Sequence, residues 1–269
     1  MNKPTVSVIM STYNSDFKKL REAIQSIKEQ TFTDWEFIIC DDASTNSTYE
    51  ILQSIAKKDD KIKVFRLDVN VGAAEARNVC LKYISGKYIA IMDDDDISYK
   101  NRLFEQVKAL DENSDISIVS SNIEIFDGIS IIGKRETKKS PTKEDFLWGL
   151  PFVHPATMFR ATAIKQINGY RANVAHRQGE DYDLFMRLYA CGYRGMNIQK
   201  ILFRYFVNKS SMKKRKFSHY LDEAIIRHSG FKSLGILYPT GWFYVLKPLL
   251  VGLIPKWILF DFQRIFQMR

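Results

Sequence analysis

Apolar and polar positions along the first hundred residues alternate in blocks. Val6–Met10 is a short apolar run stopped by Ser11-Thr12-Tyr13-Asn14, which predicts a buried strand followed by a turn. Leu20, Ala23, Ile24 and Ile27 then recur at helical spacing. Trp35–Cys40 predicts a second strand, ended by Asp41-Asp42-Ala43-Ser44, and Ile51, Leu52 and Ile55 mark a second helix. Ile62–Phe65 is a third strand, Ala73–Tyr83 a helix with Gly86 just beyond it, and Tyr88–Met92 a fourth strand that stops at Asp93-Asp94-Asp95-Asp96. Short apolar strands separated by helices predict an α/β fold with a mostly parallel sheet and right-handed crossovers.

Ligands of open α/β sheets lie at the carboxyl ends of the strands. The polar clusters at Thr12-Tyr13-Asn14, Asp41-Asp42 and Asp93–Asp96 therefore mark one expected site. Beyond a helix at Lys100–Leu110 the pattern loosens. Ile116–Phe126 reads as a longer strand with Ile129–Ile132 as its partner, residues 134–144 as a polar connector, and Gly179–Tyr189 as a helix start. No internal repeat is present.

Charge changes the picture at the C-terminal end. Residues 1–200 carry 28 basic and 28 acidic side chains, whereas residues 201–269 carry 12 and 3, so the net charge of +9 comes from the last quarter. A basic tail seeks an anionic surface. Residues 236–260 are strongly apolar but interrupted by Lys247, Lys256 and three prolines, too broken for the roughly 20-residue apolar run that spans a bilayer. Ile258, Leu259, Phe262, Ile265 and Phe266 share one helical face, which predicts a helix lying in a membrane surface. The competing reading is an arm that packs on a second copy of the chain. The run Lys213-Lys214-Arg215-Lys216 is short and lacks paired aromatic stacking sites, so no nucleic-acid partner is expected.

Three well-separated cysteines give no disulfide framework or zinc pattern, and the N-terminus runs straight into a strand pattern without a leader; both fit a reducing cytoplasm. No P-loop, dinucleotide fingerprint or G-x-S-x-G motif occurs, leaving kinase, dehydrogenase and hydrolase readings unsupported.

Four consecutive aspartates repel one another and require open water or a cation. Hard oxygen donors suit Mg²⁺ or Mn²⁺ bridging to phosphates. Asp42 is placed to accept from a base N–H or ribose hydroxyl, or to cap a helix. Arg77 is placed for a diphosphate or for a salt bridge. Glu180-Asp181 opens a helix, as ordinary complement to its positive end or as a general base. His154 and His176 lack metal-ligand spacing.

Taken in order, VSVIMSTYN, QTFTDWEFIICDDAST, NVGAAEARN, GKYIAIMDDDD, HPATMFR and GEDYDLFMRL resemble the family 2 glycosyltransferases of the GT-A fold over roughly residues 5–210. Ser11 departs from the proline frequent at that position. The resemblance implies a GT-A domain over 1–210, with a nucleotide-sugar-binding half at 1–113, an acceptor-binding half at 114–210, and a membrane-associating tail at 211–269. It implies that Ser11, Tyr13 and Asp42 hold the nucleoside, with Tyr13 stacked on the base, and that Arg77 lies near the donor diphosphate. Asp93 and Asp95 become the metal pair, Asp95 foremost, with Asp94 turned toward the sugar. Asp181 becomes the catalytic base, and His154, Glu180 and Arg204 lie near acceptor or phosphates. The implied activity is inverting transfer of a hexosyl group from a nucleotide sugar, a UDP-hexose or UDP-N-acetylhexosamine, to a saccharide on a polyprenyl diphosphate carrier. That places the chain in bacterial surface polysaccharide synthesis, on the inner face of the cell membrane. The alternatives are a non-catalytic nucleotide-sugar-binding scaffold and a metal-dependent nucleotidyltransferase, which would release pyrophosphate.

Overall fold

The computed structural model describes residues 3–172, 179–207 and 216–253. Among the described residues nine strands form one sheet. The four predicted strands, β1 (Val6–Thr12), β2 (Trp35–Asp41), β3 (Ile62–Arg66) and β4 (Tyr88–Ile91), lie in the order β3-β2-β1-β4 and pair in parallel. Every residue of β1, β2 and β4 is buried, which is why these segments read as continuous apolar runs rather than alternating ones. The crossovers are α1 (Phe17–Lys28), α2 (Thr48–Ala56) and α3 (Ala73–Lys82).

The second half continues the sheet with mixed polarity. Next come β5 (Ile97–Ser98), α4 (Arg102–Glu112), β6 (Ile116–Phe126), β7 (Ile131–Arg135), β8 (Met158–Arg160) and α5 (Ala161–Gln166). They are followed by α6 (Glu180–Ala190), β9 (Arg194–Phe206), α7 (Phe217–Leu234) and α8 (Trp242–Leu253). β8 joins β4 and β6 antiparallel, β9 runs parallel to β6, β5 pairs antiparallel with β9, and β7 pairs antiparallel with β6. The sheet is therefore mixed: the parallel order expected of it holds for β1 to β4, and the later strands add antiparallel pairs.

Each sheet face carries its own core. Val6, Val8 and Met10 of β1 pack with Leu20 and Ile24 of α1, Leu52 of α2 and Leu103 and Leu110 of α4. Ile9 and Ile38 on the other face pack with Ala76 and Cys80 of α3, Ile164 of α5, Leu184 and Phe185 of α6 and Ile226 and Phe231 of α7. The three cysteines are free, Cys40 and Cys80 buried and Cys191 exposed.

Past the expected boundary at 210/211, Ile226, Phe231, Leu234, Leu237 and Val245 belong to the second core. What the tail leaves outside is the opposite face of α8, where Phe243 is 75% exposed, Leu250 63% and Leu253 71%. No helix among the described residues is long and apolar enough to cross a membrane. The predicted surface helix around Ile258–Phe266 and most of the run at 213–216 lie outside the described residues.

Candidate active site

The carboxyl ends of β1, β2 and β4 converge as predicted. Ser11, Thr12, Tyr13, Asp42, Arg77, Asp93, Asp94 and Asp95 all line one cleft of about 260 Å³. Tyr13 is half exposed there, so a planar ring can reach its face. The loops that carry these residues are stapled together by Asn14, whose left-handed backbone aims its side-chain oxygen at the Thr45 N–H (2.8 Å) and the Asn46 N–H (3.2 Å).

The Asp42 side chain does not cap α2. Its oxygens accept the Val71 and Gly72 N–H groups, both at 2.8 Å, and the Asn70 amide at 3.0 Å. A buried carboxylate thereby fixes the Asn70-Val71-Gly72 loop at the start of α3. Gly72 there has φ 98°, a conformation that side-chain-bearing residues adopt only under strain. Arg77 is delivered one turn further along α3.

Arg77 joins two parts of the site. Its guanidinium donates to Asp93 Oδ1 at 2.8 Å and to Glu180 Oε1 at 3.1 Å, and its side chain is 7% exposed. Burial alone would weaken the cation, but Asp93, Tyr170 and Glu180 reverse that and hold it firmly charged. Its Nε–H is buried with no partner among the described residues, a donor in reserve at the cleft wall. Beneath it, the Tyr170 hydroxyl meets His154 Nε2 at 2.8 Å. Burial and the neighbouring Arg77 cation push His154 down to about 3, so the ring is uncharged near neutral pH. His154 thus backs the Arg77 strut and lines neither cleft of the site. Arg204 stands apart as well. Its guanidinium faces Glu124 (3.8 Å) and the Tyr99 hydroxyl (3.2 Å).

The four aspartates separate by environment. Asp94 Oδ2 accepts from Thr12 Oγ1 at 2.6 Å and from the Ser15 hydroxyl. Asp96 is buried, accepts the Phe206 N–H at 2.7 Å, and its carboxyl is driven well upward by burial with Asp93 and Asp95 beside it. Asp95 keeps an exposed surface at the cleft mouth, yet desolvation with Asp94 and Asp93 beside it pushes its carboxyl up to about 7. Below them lies Arg102, fully buried and donating to the Ile91 carbonyl at 2.8 Å, its guanidinium 4.8 Å from the Phe203 ring centre. Burial lowers this cation to about 9 while Asp96 and Asp93 oppose the fall.

Among the described residues no three His, Cys, Asp or Glu side chains converge as a closed metal cage. Crowded carboxylates at an open cleft, with Asp95 pushed toward protonation by desolvation and by its neighbours, still fit a hard cation. Magnesium-like ions take one or two carboxylates and complete their shell with phosphate and water. Asp93 and Asp95 are the residues that could hold one.

A second cleft of about 410 Å³ adjoins Arg77 through Glu180, and Glu180, Asp181 and Tyr182 line it. Asp181 stands in the first turn of α6, and its carboxylate accepts the Tyr182 N–H at 2.7 Å. Burial, with Glu180 beside it, raises its carboxyl to about 6. A carboxyl balanced just below neutrality at the junction of two clefts suits a general base.

Three residues of the site carry no strong signal in the sequence: Asn70, Ser15 and Arg102. Asn70 sits in a turn-prone string. Arg102 is a cation in the first turn of a helix, against the helix dipole, and that misplacement is its only trace.

Comparison with known proteins agrees with this geometry. The family model for glycosyl transferase family 2 matches residues 7–167. The chain is 35% identical over 253 residues to the putative glycosyltransferase EpsE of Bacillus subtilis, covering 94% of this chain and 90% of that one. It is 31% identical to the UDP-Glc:alpha-D-GlcNAc-diphosphoundecaprenol beta-1,3-glucosyltransferase WfgD of Escherichia coli, covering 81% and 83%. Among solved structures it superposes on S. aureus TarS in complex with UDP-GlcNAc with TM-score 0.70 at 22% identity, over 89% and 73% of the two chains. It superposes on the mannosyltransferase PcManGT from Pyrobaculum calidifontis, in complex with GDP-Man and Mn²⁺, with TM-score 0.61 at 19% identity, over 100% and 81%. These structural likenesses establish a GT-A fold. With a strand-end acidic cleft, a joined carboxylate cleft and a family match across most of the sheet, the chain belongs to glycosyl transferase family 2 and is a glycosyltransferase.

Proposed function

We propose that the protein transfers a hexosyl or N-acetylhexosaminyl group from a UDP-sugar to a hydroxyl of a saccharide carried on a polyprenyl diphosphate, with inversion at the anomeric carbon. The observation that carries this reading is the Arg77 bridge. One buried cation ties the acidic cleft, through Asp93, to the cleft that holds Asp181, through Glu180. A nucleotide sugar lying along Ser11, Tyr13 and Asp42 brings its diphosphate to Arg77 and its anomeric carbon toward the junction. Asp181 takes the proton of the attacking acceptor hydroxyl as the new bond forms. The nucleoside diphosphate leaves in the same displacement, so an α-linked donor yields a β-linked product. Asp93 and Asp95 would hold Mg²⁺ or Mn²⁺, which supplies charge neutralisation for the departing diphosphate. The Arg77 cation adds to it from the protein side. The donor and acceptor classes are supported by relatives named for UDP-Glc or UDP-Gal and for GlcNAc-diphosphoundecaprenol.

Asp95→Asn tests the metal role. The variant is expected to lose most of the Mn²⁺-dependent increment in UDP affinity, measured by calorimetry with and without EDTA. Equal UDP affinity of variant and parent in Mn²⁺ would remove Asp95 from the ligand set.

The domain halves follow the clefts, with residues 1–113 holding the donor and the later elements the acceptor. The tail works at the inner face of the cell membrane: its net charge is basic, and α8 presents Phe243, Leu246, Leu250 and Leu253 outward. Phe243→Ser with Leu250→Ser removes two largely exposed groups and leaves the core intact. Co-sedimentation with phosphatidylglycerol vesicles is expected to fall at least about tenfold, since each lost apolar group is worth about 1.5–3 kcal/mol when fully buried. Undiminished binding would place the contact elsewhere.

A further inference from the structure

The second cleft has a wall that the family match does not reach. Besides Asp181 and Glu180 it is lined by Gly149 and Leu150 and by two side chains of α7, Glu223 and Arg227. Helix α7, like Glu180 and Asp181, lies beyond the segment that the family model covers.

Arg227 is 5% exposed and rigidly held. Its Nε donates to Glu223 Oε1 at 2.9 Å, one helical turn away, and its Nη1 donates to the Leu147 carbonyl at 3.0 Å. The guanidinium lies 5.3 Å from the Tyr182 ring centre and 5.9 Å from that of Phe231. Three carboxylates, Glu180, Asp181 and Glu223, line this cleft beside the one guanidinium, and no metal ion is invoked there to offset them as in the donor cleft, so a diphosphate is disfavoured. The same groups suit an uncharged sugar. Its hydroxyls donate to carboxylate oxygens and accept from guanidinium N–H groups, both charge-assisted. Trp148, next in sequence to the lining Gly149 but on the wall of a neighbouring cleft, is 70% exposed, with the Tyr244 ring at 5.1 Å and the Lys247 ammonium 6.0 Å from its ring centre.

We propose that the Glu223–Arg227 pair of α7 selects the acceptor: it hydrogen-bonds an uncharged, hydroxyl-rich sugar and turns one hydroxyl toward Asp181. This rests on the transferase reading above. It also places the acceptor's diphosphate outside this cleft.

The test is steady-state kinetics of the full chain, parent against Glu223→Gln and Arg227→Lys. UDP-glucose and UDP-galactose serve as donors, and N-acetylglucosamine on a short-chain polyprenyl diphosphate as acceptor. The ratio of acceptor KM to donor KM is expected to rise at least about tenfold in both variants, the scale of losing a hydrogen bond to a charged group. An unchanged ratio, with transfer by the parent intact, would overturn the inference and leave the transferase reading standing. A parallel fall in donor and acceptor kinetics with a lowered melting temperature, in the isosteric Glu223→Gln as well, would assign the pair to structure and overturn it too. Absence of transfer by the parent from either donor and from UDP-N-acetylglucosamine would overturn the reading and the inference together.

Discussion

Asp181→Asn is expected to lower kcat by roughly 10²–10⁴ while leaving donor affinity near that of the parent, the range for losing a positioned general base. The substitution keeps the shape of the side chain and its contact with the Tyr182 N–H turns from charged to neutral, so the loss is chemical rather than architectural. The parent's pH profile follows from the same residue. The base works as carboxylate, and burial with Glu180 nearby sets its protonation at about 6. The rate is therefore expected to rise with pH through about 6 and level off above it, with this limb absent from the asparagine variant. Stability runs the other way. The folded carboxyl binds its proton more tightly than the unfolded one, so this group's contribution falls as pH rises from the ordinary aspartate range through about 6. The asparagine variant should be the more stable protein at pH 7.5, with the gap closing toward pH 4. Thermal melting across that range checks it. Near-normal turnover in Asp181→Asn would move the base to another carboxylate.

Arg77→Met is expected to cost stability as well as function. Arg77 is 7% exposed and faces Asp93 and Glu180 at hydrogen-bonding distance. Removing one partner of a buried pair leaves an uncompensated charge, which costs about 3–5 kcal/mol. Here two carboxylates lose their cation, next to Asp94 and Asp95, so repulsion at the cleft rises. Urea unfolding should show the loss, and a binding concentration of UDP with Mn²⁺ should restore part of it, because ligand that binds only the folded state stabilises it. Arg77→Lys keeps a charge but cannot reach both carboxylates with a planar fork, and is expected to fall between parent and methionine variant. A methionine variant as stable as the parent would mean that Asp93 and Glu180 are solvated or protonated, and that the bridge does not hold the two clefts together.

The parts of the fold that were legible in the sequence are those buried on both faces. β1, β2 and β4 read as unbroken apolar runs because helices cover them above and below, and the polar residue that follows each run marks the sheet's carboxyl edge. That edge was enough to collect Thr12, Tyr13, Asp42 and Asp93–Asp95 into one cleft. β9 was not legible. Its sequence RGMNIQKILFRYF mixes charges with apolar residues, and its pairing with β6 shifts register three times, so no single period survives. Its charges are absorbed by partners far away in sequence, Lys200 by Glu105 at 2.7 Å and Arg204 by Glu124. The packing of the tail was not legible for a related reason. Its basic and apolar character drew attention to a surface, while the inner face of α7 fills the core and sends Glu223 and Arg227 into the site. Nothing local in a helix announces which distant loop its polar residues will meet. The Arg77 bridge is likewise a tertiary fact, since GAAEARN names the residue but not its two partners.

The most direct test of the account is a screen of UDP-glucose, UDP-galactose and UDP-N-acetylglucosamine with Mn²⁺. Released UDP is read with and without N-acetylglucosamine on a short-chain polyprenyl diphosphate. UDP release from at least one donor is expected, abolished by EDTA, accelerated by the acceptor and accompanied by a β-linked product. Failure of all three donors to bind, or release of a sugar 1-phosphate instead of UDP, would contradict the account.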